Sequence, residues 1–259
     1  MEREKEMNGI HEEMNAYHAS AAIGSSQAKQ AKKSIRLFKD YLEGIASFTT
    51  TPAMALGTAI HAALLEPDTF ADAVIVSPYD SFRSAEAKAW KIEKEAAGVC
   101  IVKQDYLNQI EMICQRTTAI DEVADILENT EKELVYRAEI NGLQCQCRFD
   151  AIDTDCRIAY DVKTTAKFDK FDWQVRDLGY DFSAGWYDAV FYAATGGFLK
   201  AWNWLVVETV APFRCQIVEF YELGDANRDA RDVAAKISMS MKLDEWTDET
   251  QLHRVYGTR

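Results

Sequence analysis

Two acids and a lysine near the middle of the chain have the types and spacing of a metal-dependent site. The segment Ile158–Thr165 reads as a strand, and side chains alternate across a strand, so Asp161 and Lys163 share one face. Asp150 lies eleven residues before Asp161 and can approach it if the two strands are antiparallel neighbours. Two carboxylates within about 4–6 Å repel each other unless a cation lies between them. The pattern therefore favours a hard ion such as Mg²⁺ or Mn²⁺.

Simpler interpretations of these residues stay open. Asp161 and Lys163 could form a surface ion pair on an edge strand. A carboxylate and an ammonium at the end of an apolar strand are nevertheless costly unless they are paired or hold a metal. Asp153 competes with Asp150, but its odd spacing directs it to the other face, where it would interact with a turn.

His61 and Glu133 could complete a metal shell. His61 follows Gly57 by four residues, on one face of a helix predicted from Pro52 to Leu65. A neutral imidazole would suit Mn²⁺ better than Mg²⁺, although a lone histidine in an apolar helix is more often a core residue. Glu133 could add a carboxylate at the rim, or could simply be a charged residue where a strand begins.

A segment rich in aromatic residues is the remaining candidate for substrate contact. Within Tyr180–Tyr187, Ser183 and Tyr187 are four residues apart and share one helix face with Tyr180 nearby. This arrangement fits either a surface that contacts the DNA backbone or an aromatic stripe in the core.

Hydrophobic periodicity predicts the elements that must position these residues. Helices are predicted over roughly 27–44, 52–65, 84–97 and 103–128, and three strand-like runs follow from Lys132. Asn141-Gly142 between the first two runs is a strong hairpin signal. Helical patterning returns over about 168–195, two strands follow over 201–210 and 213–223, and a closing helix spans about 225–246. We therefore expect a single α/β domain over 1–259, with a polar lead-in (1–24) and a tail (247–259).

Composition limits the partners and the compartment. Among 259 residues, 42 acids outnumber 29 bases, and the formal net charge is −13. Such a chain repels nucleic acid at long range, so DNA binding would require a local basic or metal-filled cleft. No apolar run is long enough to span a membrane, and the N-terminus lacks the apolar stretch of a signal peptide. The six cysteines form no CxxC pair, so we expect reduced thiols and a cytoplasmic protein.

Several of these segments together resemble a known group of nucleases. Gly57-x-x-x-His61, Arg148-x-Asp150 and Asp161-Val-Lys163 followed by two threonines resemble the PD-(D/E)XK superfamily. Within it, the chain is similar to RecE-type (exodeoxyribonuclease VIII) phage recombination exonucleases, from about residue 25 to residue 221. The resemblance implies an α/β fold with a restriction-endonuclease-like core, in which helices flank a mixed central β-sheet.

The resemblance also implies a role for each matched residue. The expected metal ligands are His61, Asp150, Asp161 and the Val162 carbonyl. Lys163 would be the catalytic lysine, and Glu133 matches an acid that opens the first core strand. The residues expected to face DNA are Ser25, Ser26, Arg148, Thr164, Thr165, Ser183 and Tyr187. The Gln-x-x-x-Tyr motif usual in the family becomes Ser183-x-x-x-Tyr187 here, or Asp188 and Tyr192 in an alternative alignment.

The activity implied by the resemblance is an exodeoxyribonuclease that uses Mg²⁺, with Mn²⁺ as a substitute. It would digest linear double-stranded DNA from 5′ to 3′ and leave 3′ overhangs for recombination. Further implications are a ring-like homo-oligomer, a RecT-like single-strand annealing partner, and, for a phage or prophage protein, the cytoplasm of a bacterial host. No iron–sulfur cluster is expected, because the cysteine spacing does not fit one. Two alternatives remain: a non-catalytic domain that binds DNA or a partner, and an endonuclease or repair nuclease of the same fold.

Overall fold

A computed structural model provides the fold and describes residues 9–46 and 51–248. The helices are α1 (Met14–Ala19), α2 (Ser25–Lys33), α3 (Ile35–Leu42), α4 (Pro52–Leu65), α5 (Phe70–Ala73), α6 (Ala85–Ala96), α7 (Gln104–Thr118), α8 (Asp121–Asn129), α9 (Phe171–Asp177), α10 (Tyr180–Thr195) and α11 (Leu223–Leu243). The strands are β1 (Ile10–His11), β2 (Val74–Val76), β3 (Cys100–Val102), β4 (Glu131–Ile140), β5 (Leu143–Asp153), β6 (Ile158–Thr165), β7 (Ala201–Glu208) and β8 (Cys215–Glu219).

A six-stranded mixed sheet forms the centre of the fold. Its strand order is β1-β4-β5-β6-β7-β8, and every neighbouring pair is antiparallel except β6 and β7, which run parallel. The β4–β5 hairpin turns at Asn141 and Gly142, which both have positive φ, as a two-residue turn of this kind requires. The predicted α/β class and the mixed central sheet flanked by helices are confirmed.

Both faces of the sheet are covered by helices, and β7 shows this directly. Trp202 and Trp204 point into a cluster built with α2, α3, α10 and α11, whereas Leu205 and Val207 point into a second cluster with α4 and α7. An apolar strand without alternation is expected when a strand is buried on both faces.

Several elements differ from the sequence-based prediction. The first predicted helix is two helices, because the Ser34 hydroxyl accepts a hydrogen bond from the Leu37 amide and starts α3. The segment predicted as one helix over 103–128 divides into α7 and α8. The short parallel strands β2 and β3 were not predicted, since each has only three residues. Residues 10–23, predicted as a polar lead-in, contribute β1, α1 and a bridge from Ile23 to Cys145.

No helix in the described part of the chain is long and apolar enough to cross a membrane.

Candidate active site

Strands β5 and β6 separate at the position where the two predicted aspartates lie. The strands pair at Ala151↔Tyr160, Ile152↔Ala159 and Asp153↔Ile158, and the next residues in this register are Asp150 and Asp161. Beyond this point β6 continues to pair with β7 along its whole length. The separation creates a fork in the sheet with a carboxylate on each branch. Asp153 instead accepts a hydrogen bond from the Cys156 amide in the connecting turn, as its spacing predicted.

Helix α4 brings His61 to this fork. Thr51 caps the helix and Pro52 occupies its first turn, both common at helix starts. One turn before His61, Gly57 lies so close to β6 that a Cβ there would be 2.7 Å from Thr164 Oγ1. His61 Nε2 is 2.7 Å from Asp150 Oδ2, and the same oxygen accepts the Val162 amide at 2.8 Å. The Gly57–His61 motif therefore lets the helix approach closely and aims the imidazole at Asp150.

Glu133 reaches the same point from β4. The pairs Lys132↔Ala151 and Leu134↔Phe149 place Glu133 opposite Asp150, so three acids stand in a row across β4, β5 and β6. Its Oε1 lies 3.5 Å from His61 Nδ1, and its other oxygen pairs with Arg148 Nε. The φ of Glu133 is +55°, a conformation that costs a non-glycine residue roughly 1–3 kcal/mol and concentrates at functional sites.

Asp161 and Lys163 form an ion pair beside this group. Lys163 Nζ lies 2.5 Å from Asp161 Oδ2 and 5.1 Å from the centre of the Tyr180 ring. The resemblance implied that Asp161 joins His61 and Asp150 as a ligand. In the structure, ligand atoms of His61, Glu133 and Asp150 lie within 4.8 Å of one another, and Asp161 is paired with the lysine next to them.

Burial and mutual repulsion shift the pKa values of these groups. Burial raises the pKa of Glu133 to about 7, assisted by the charge of Asp150, and burial raises the pKa of Asp161 to about 6 against the opposing charge of Lys163. Burial would lower the pKa of His61, but Asp150 and Glu133 outweigh it and raise that pKa to about 9. Several acids held together at low exposure indicate a place for a cation. The imidazole and carboxylate donors at the fork fit Mn²⁺ or Mg²⁺.

The group opens into a cleft of about 1080 Å³. One wall is α2, which carries Lys29, Lys32 and Lys33 and no acid. Ser25 and Ser26 lie at the start of this helix and also line the cleft. A helix N-terminus presents free amide groups, so an anion such as a phosphate would be stabilised there. Lys32 pairs with Asp229 at 2.5 Å, so the basic character of this wall rests on Lys29 and Lys33, although the chain is acidic overall.

The other expected DNA-facing residues divide into two groups. Tyr187 and Arg148 line the cleft, although Arg148 is engaged with Glu133 and its terminal nitrogen contacts the Met14 sulfur. Three hydroxyls have partners elsewhere: Thr164 faces Gly57, Thr165 accepts from the Lys167 amide, and Ser183 donates to the Gly179 carbonyl.

The alternative alignment does not bring its residues to this cleft. Asp188 is buried and accepts hydrogen bonds from the Leu199 amide and from Asn227 Nδ2, and Tyr192 stacks on Phe198.

The sequence reasoning missed Lys29 and the partnership of Glu133 with Asp150. Lys29 lines the same cleft as His61, Glu133 and Asp150. Burial and the charge of Lys163 lower the pKa of Lys29 to about 8. The three lysines of α2, at helical spacing after two serines, were a usable signal. For Glu133 the signal was the hairpin itself, because the Asn141-Gly142 turn pairs Ile140 with Leu143 and thereby fixes the register down to Glu133 and Asp150.

Comparison with known proteins identifies the family. Residues 24–250 match the family described as a PDDEXK-like domain of unknown function (DUF3799), and the chain belongs to this family. A solved structure from Eubacterium rectale, named a "putative exonuclease", is 13% identical and has a TM-score of 0.65, with 92% of this chain and 88% of that chain covered. This likeness shows the fold. The structure of SSO0001 is 14% identical, covers 83% of this chain and 85% of that chain, and has a TM-score of 0.34. No curated protein matches the chain.

Proposed function

We propose that this protein is a divalent-metal-dependent deoxyribonuclease, and that it acts as a 5′-to-3′ exonuclease on linear double-stranded DNA. The observation that carries the proposal is the fork, where His61, Asp150, Asp161 and Lys163 meet from three different elements. Burying an imidazole, two carboxylates and an ammonium group together is costly even when they pair with one another, and the same carboxylates would stabilise a divalent ion at the fork.

The residues at the fork can divide the work of phosphodiester hydrolysis. A divalent ion held by His61, Asp150 and Asp161 would supply a more acidic water and a positive charge next to the scissile phosphate. Asp161 keeps Lys163 at the fork, and the Tyr180 ring covers one side of its ammonium group. From there Lys163 can orient a water molecule and stabilise negative charge that develops on phosphoryl oxygens.

The cleft supports nucleic acid as the substrate. Lys29, Lys33 and the N-terminus of α2 present positive charge to a polyanion along one wall, whereas Lys32 is paired with Asp229. Local charge governs binding once the partner is near, so a net charge of −13 does not prevent it. The name of the Eubacterium rectale protein supports an exonuclease rather than an endonuclease.

The finer assignment follows the RecE-type resemblance alone. We propose a role in recombination, with 3′ overhangs as product, a RecT-like annealing partner and a ring-like homo-oligomer around the DNA. Light scattering tests the assembly, and a strict monomer at working concentration would contradict the ring.

Digestion of end-labelled DNA tests the activity. We expect loss of label from linear duplexes with Mg²⁺, intact circular duplexes, and no digestion with a chelator. Lys163→Ala should abolish hydrolysis and retain folding and DNA binding, whereas Lys242→Ala, on α11 outside the cleft, should leave the rate unchanged. Cleavage of circular duplexes would indicate an endonuclease rather than an exonuclease. Full activity of Lys163→Ala would contradict the proposed catalytic role of Lys163.

A further inference from the structure

The two ring nitrogens of His61 face two different carboxylates. Nε2 lies 2.7 Å from Asp150 Oδ2, and Nδ1 lies 3.5 Å from Glu133 Oε1. The lone pairs of the two nitrogens diverge, so a single ion can bind only one of them, and the other nitrogen then carries the proton. The cluster therefore offers two alternative places for an ion, one beside Asp150 and one beside Glu133.

The surrounding charges distinguish these two places. The side chains of Glu133 and Arg148 are each only 8% exposed, and the guanidinium is always charged. Arg148 already balances the Glu133 carboxylate and would repel a cation placed next to it. On the other side of the ring, Asp150 lies next to Asp161 across the fork. Lys163 pairs with Asp161, whereas Asp150 forms its ion pair with His61 and, within the described residues, with no lysine or arginine. The ion is therefore favoured at Nε2.

We propose that Glu133 is a positioning residue and not a metal ligand. Arg148 holds the Glu133 carboxylate 3.5 Å from His61 Nδ1. With an ion on Nε2, the ring proton would lie on Nδ1 and face Glu133, which would fix the tautomer and leave Nε2 to the ion beside Asp150. A carboxylate behind a metal-binding histidine is a general means of orienting the ring and raising its basicity. The proposal rests on the metal site of the proposed function.

The backbone of β4 supports a dedicated role for Glu133. Its positive φ interrupts a strand whose flanking residues, Lys132 and Leu134, both pair normally with β5. Such a conformation persists where the surroundings hold the residue in place. Arg148 holds Glu133 in place through their ion pair. Arg148 lies on β5 two residues before Asp150, so the strand that carries Asp150 also positions Glu133.

Metal titration without DNA separates a positioning residue from a ligand. With Mn²⁺ alone in calorimetry, we expect Glu133→Gln to weaken binding by about 10- to 100-fold. Asp150→Asn, which removes a ligand charge, should weaken binding by more than 100-fold. Thermal unfolding of each variant establishes that the fold is retained.

The histidine ring provides a second readout that simple loss of structure would not reproduce. The chain has four histidines, so ¹⁵N-labelled imidazole spectra with Zn²⁺ as a diamagnetic probe can be assigned with His61→Gln. We expect Zn²⁺ on Nε2 and a proton on Nδ1, with the Nδ1–H resonance moved in Glu133→Gln. Arg148→Lys should move the Nδ1–H resonance in the same direction. This variant provides the test if Glu133→Gln does not fold.

Three results would overturn the proposal. The first is Zn²⁺ bound to Nδ1 of His61. The second is a folded Glu133→Gln variant that binds Mn²⁺ as weakly as Asp150→Asn does. The third is a Glu133→Gln variant with wild-type Mn²⁺ affinity and an unchanged Nδ1–H resonance. None of these measurements uses cleavage. A wild-type protein that binds metal as described but cuts no DNA would refute the nuclease proposal and leave this one standing.

Discussion

Gly57→Ala tests whether the close approach of α4 to β6 sets the position of His61. A Cβ at this residue would lie 2.7 Å from Thr164 Oγ1, whereas ordinary contacts begin at 3.4 Å, so α4, β6 or the Thr164 side chain must move by about 0.7 Å. Thr164 lies between α4 and β6, and we expect the helix to take up part of this movement. His61 lies one turn further along the same face and would move with the helix. A misplacement of about 1 Å can reduce a catalysed rate by roughly 100-fold, so we expect a loss of about 10- to 100-fold in the rate of DNA digestion.

Two opposing effects determine how Gly57→Ala changes the stability of the protein. In an exposed helix, Gly→Ala would stabilise by about 1 kcal/mol through helix propensity. Overpacking at a close contact instead costs about 1–3 kcal/mol. We expect the contact to dominate, so the free energy of unfolding measured with urea should fall.

The rescue variant makes the argument specific. In Gly57→Ala/Thr164→Ala the offending oxygen is absent, and the next atom is the Cβ of residue 164 at 3.9 Å, an ordinary contact. Mn²⁺ affinity, rate and stability should return toward wild type. Gly57→Ala/Thr164→Val keeps a branch in place of the hydroxyl and should not be rescued. A Gly57→Ala single variant with wild-type rate and raised stability would show that this contact does not set the position of His61.

Three further predictions follow from the geometry and charges. Protons compete with Mg²⁺ for His61, because Asp150 and Glu133 raise its pKa to about 9 against the effect of burial. The apparent Mg²⁺ affinity measured by calorimetry should therefore rise about tenfold per pH unit from pH 7 to 9 and then level off. An affinity that does not change with pH would contradict this. Gly185→Ala should destabilise the protein to urea by more than about 3 kcal/mol, because a Cβ would lie 2.1 Å from the Ala226 backbone, and a wild-type midpoint would exclude that packing. Lys33→Ala should weaken DNA binding for all sequences and reduce the slope of log K against log salt by about 1, whereas an unchanged slope would remove α2 from the interface.

The predictable part of the site is the part that local rules determine. Alternation along β6 placed Asp161 and Lys163 on one face, and a short turn between β5 and β6 placed Asp150 near Asp161. Helical spacing placed Gly57 and His61 on the same side of α4. Each of these relations spans only a few residues or one turn, so strand and helix periods suffice.

The rest depends on tertiary packing that no local period encodes. Nothing in the spacing of Thr164 and Thr165 shows that one faces Gly57 and the other caps Lys167. Lys29 lines the same cleft as His61 and Asp150 because α2 packs against α10 and α11, which follow it by more than a hundred positions in the chain. The left-handed backbone of Glu133 likewise reflects its surroundings and has no signature in the residue type.

The first described residues of the chain matter to the sheet as well as to the cleft. His11 and Ile10 pair with Leu134 and Val135, immediately next to Glu133, and this pairing covers the outer edge of β4 at these two residues. The family match begins only at residue 24. A shortened protein that starts there would leave the backbone of Leu134 and Val135 unpaired at the edge of the sheet, and exposed strand edges promote edge-to-edge aggregation. A protein shortened to the residues that match the family would thus lack β1, the strand that protects this part of the sheet edge.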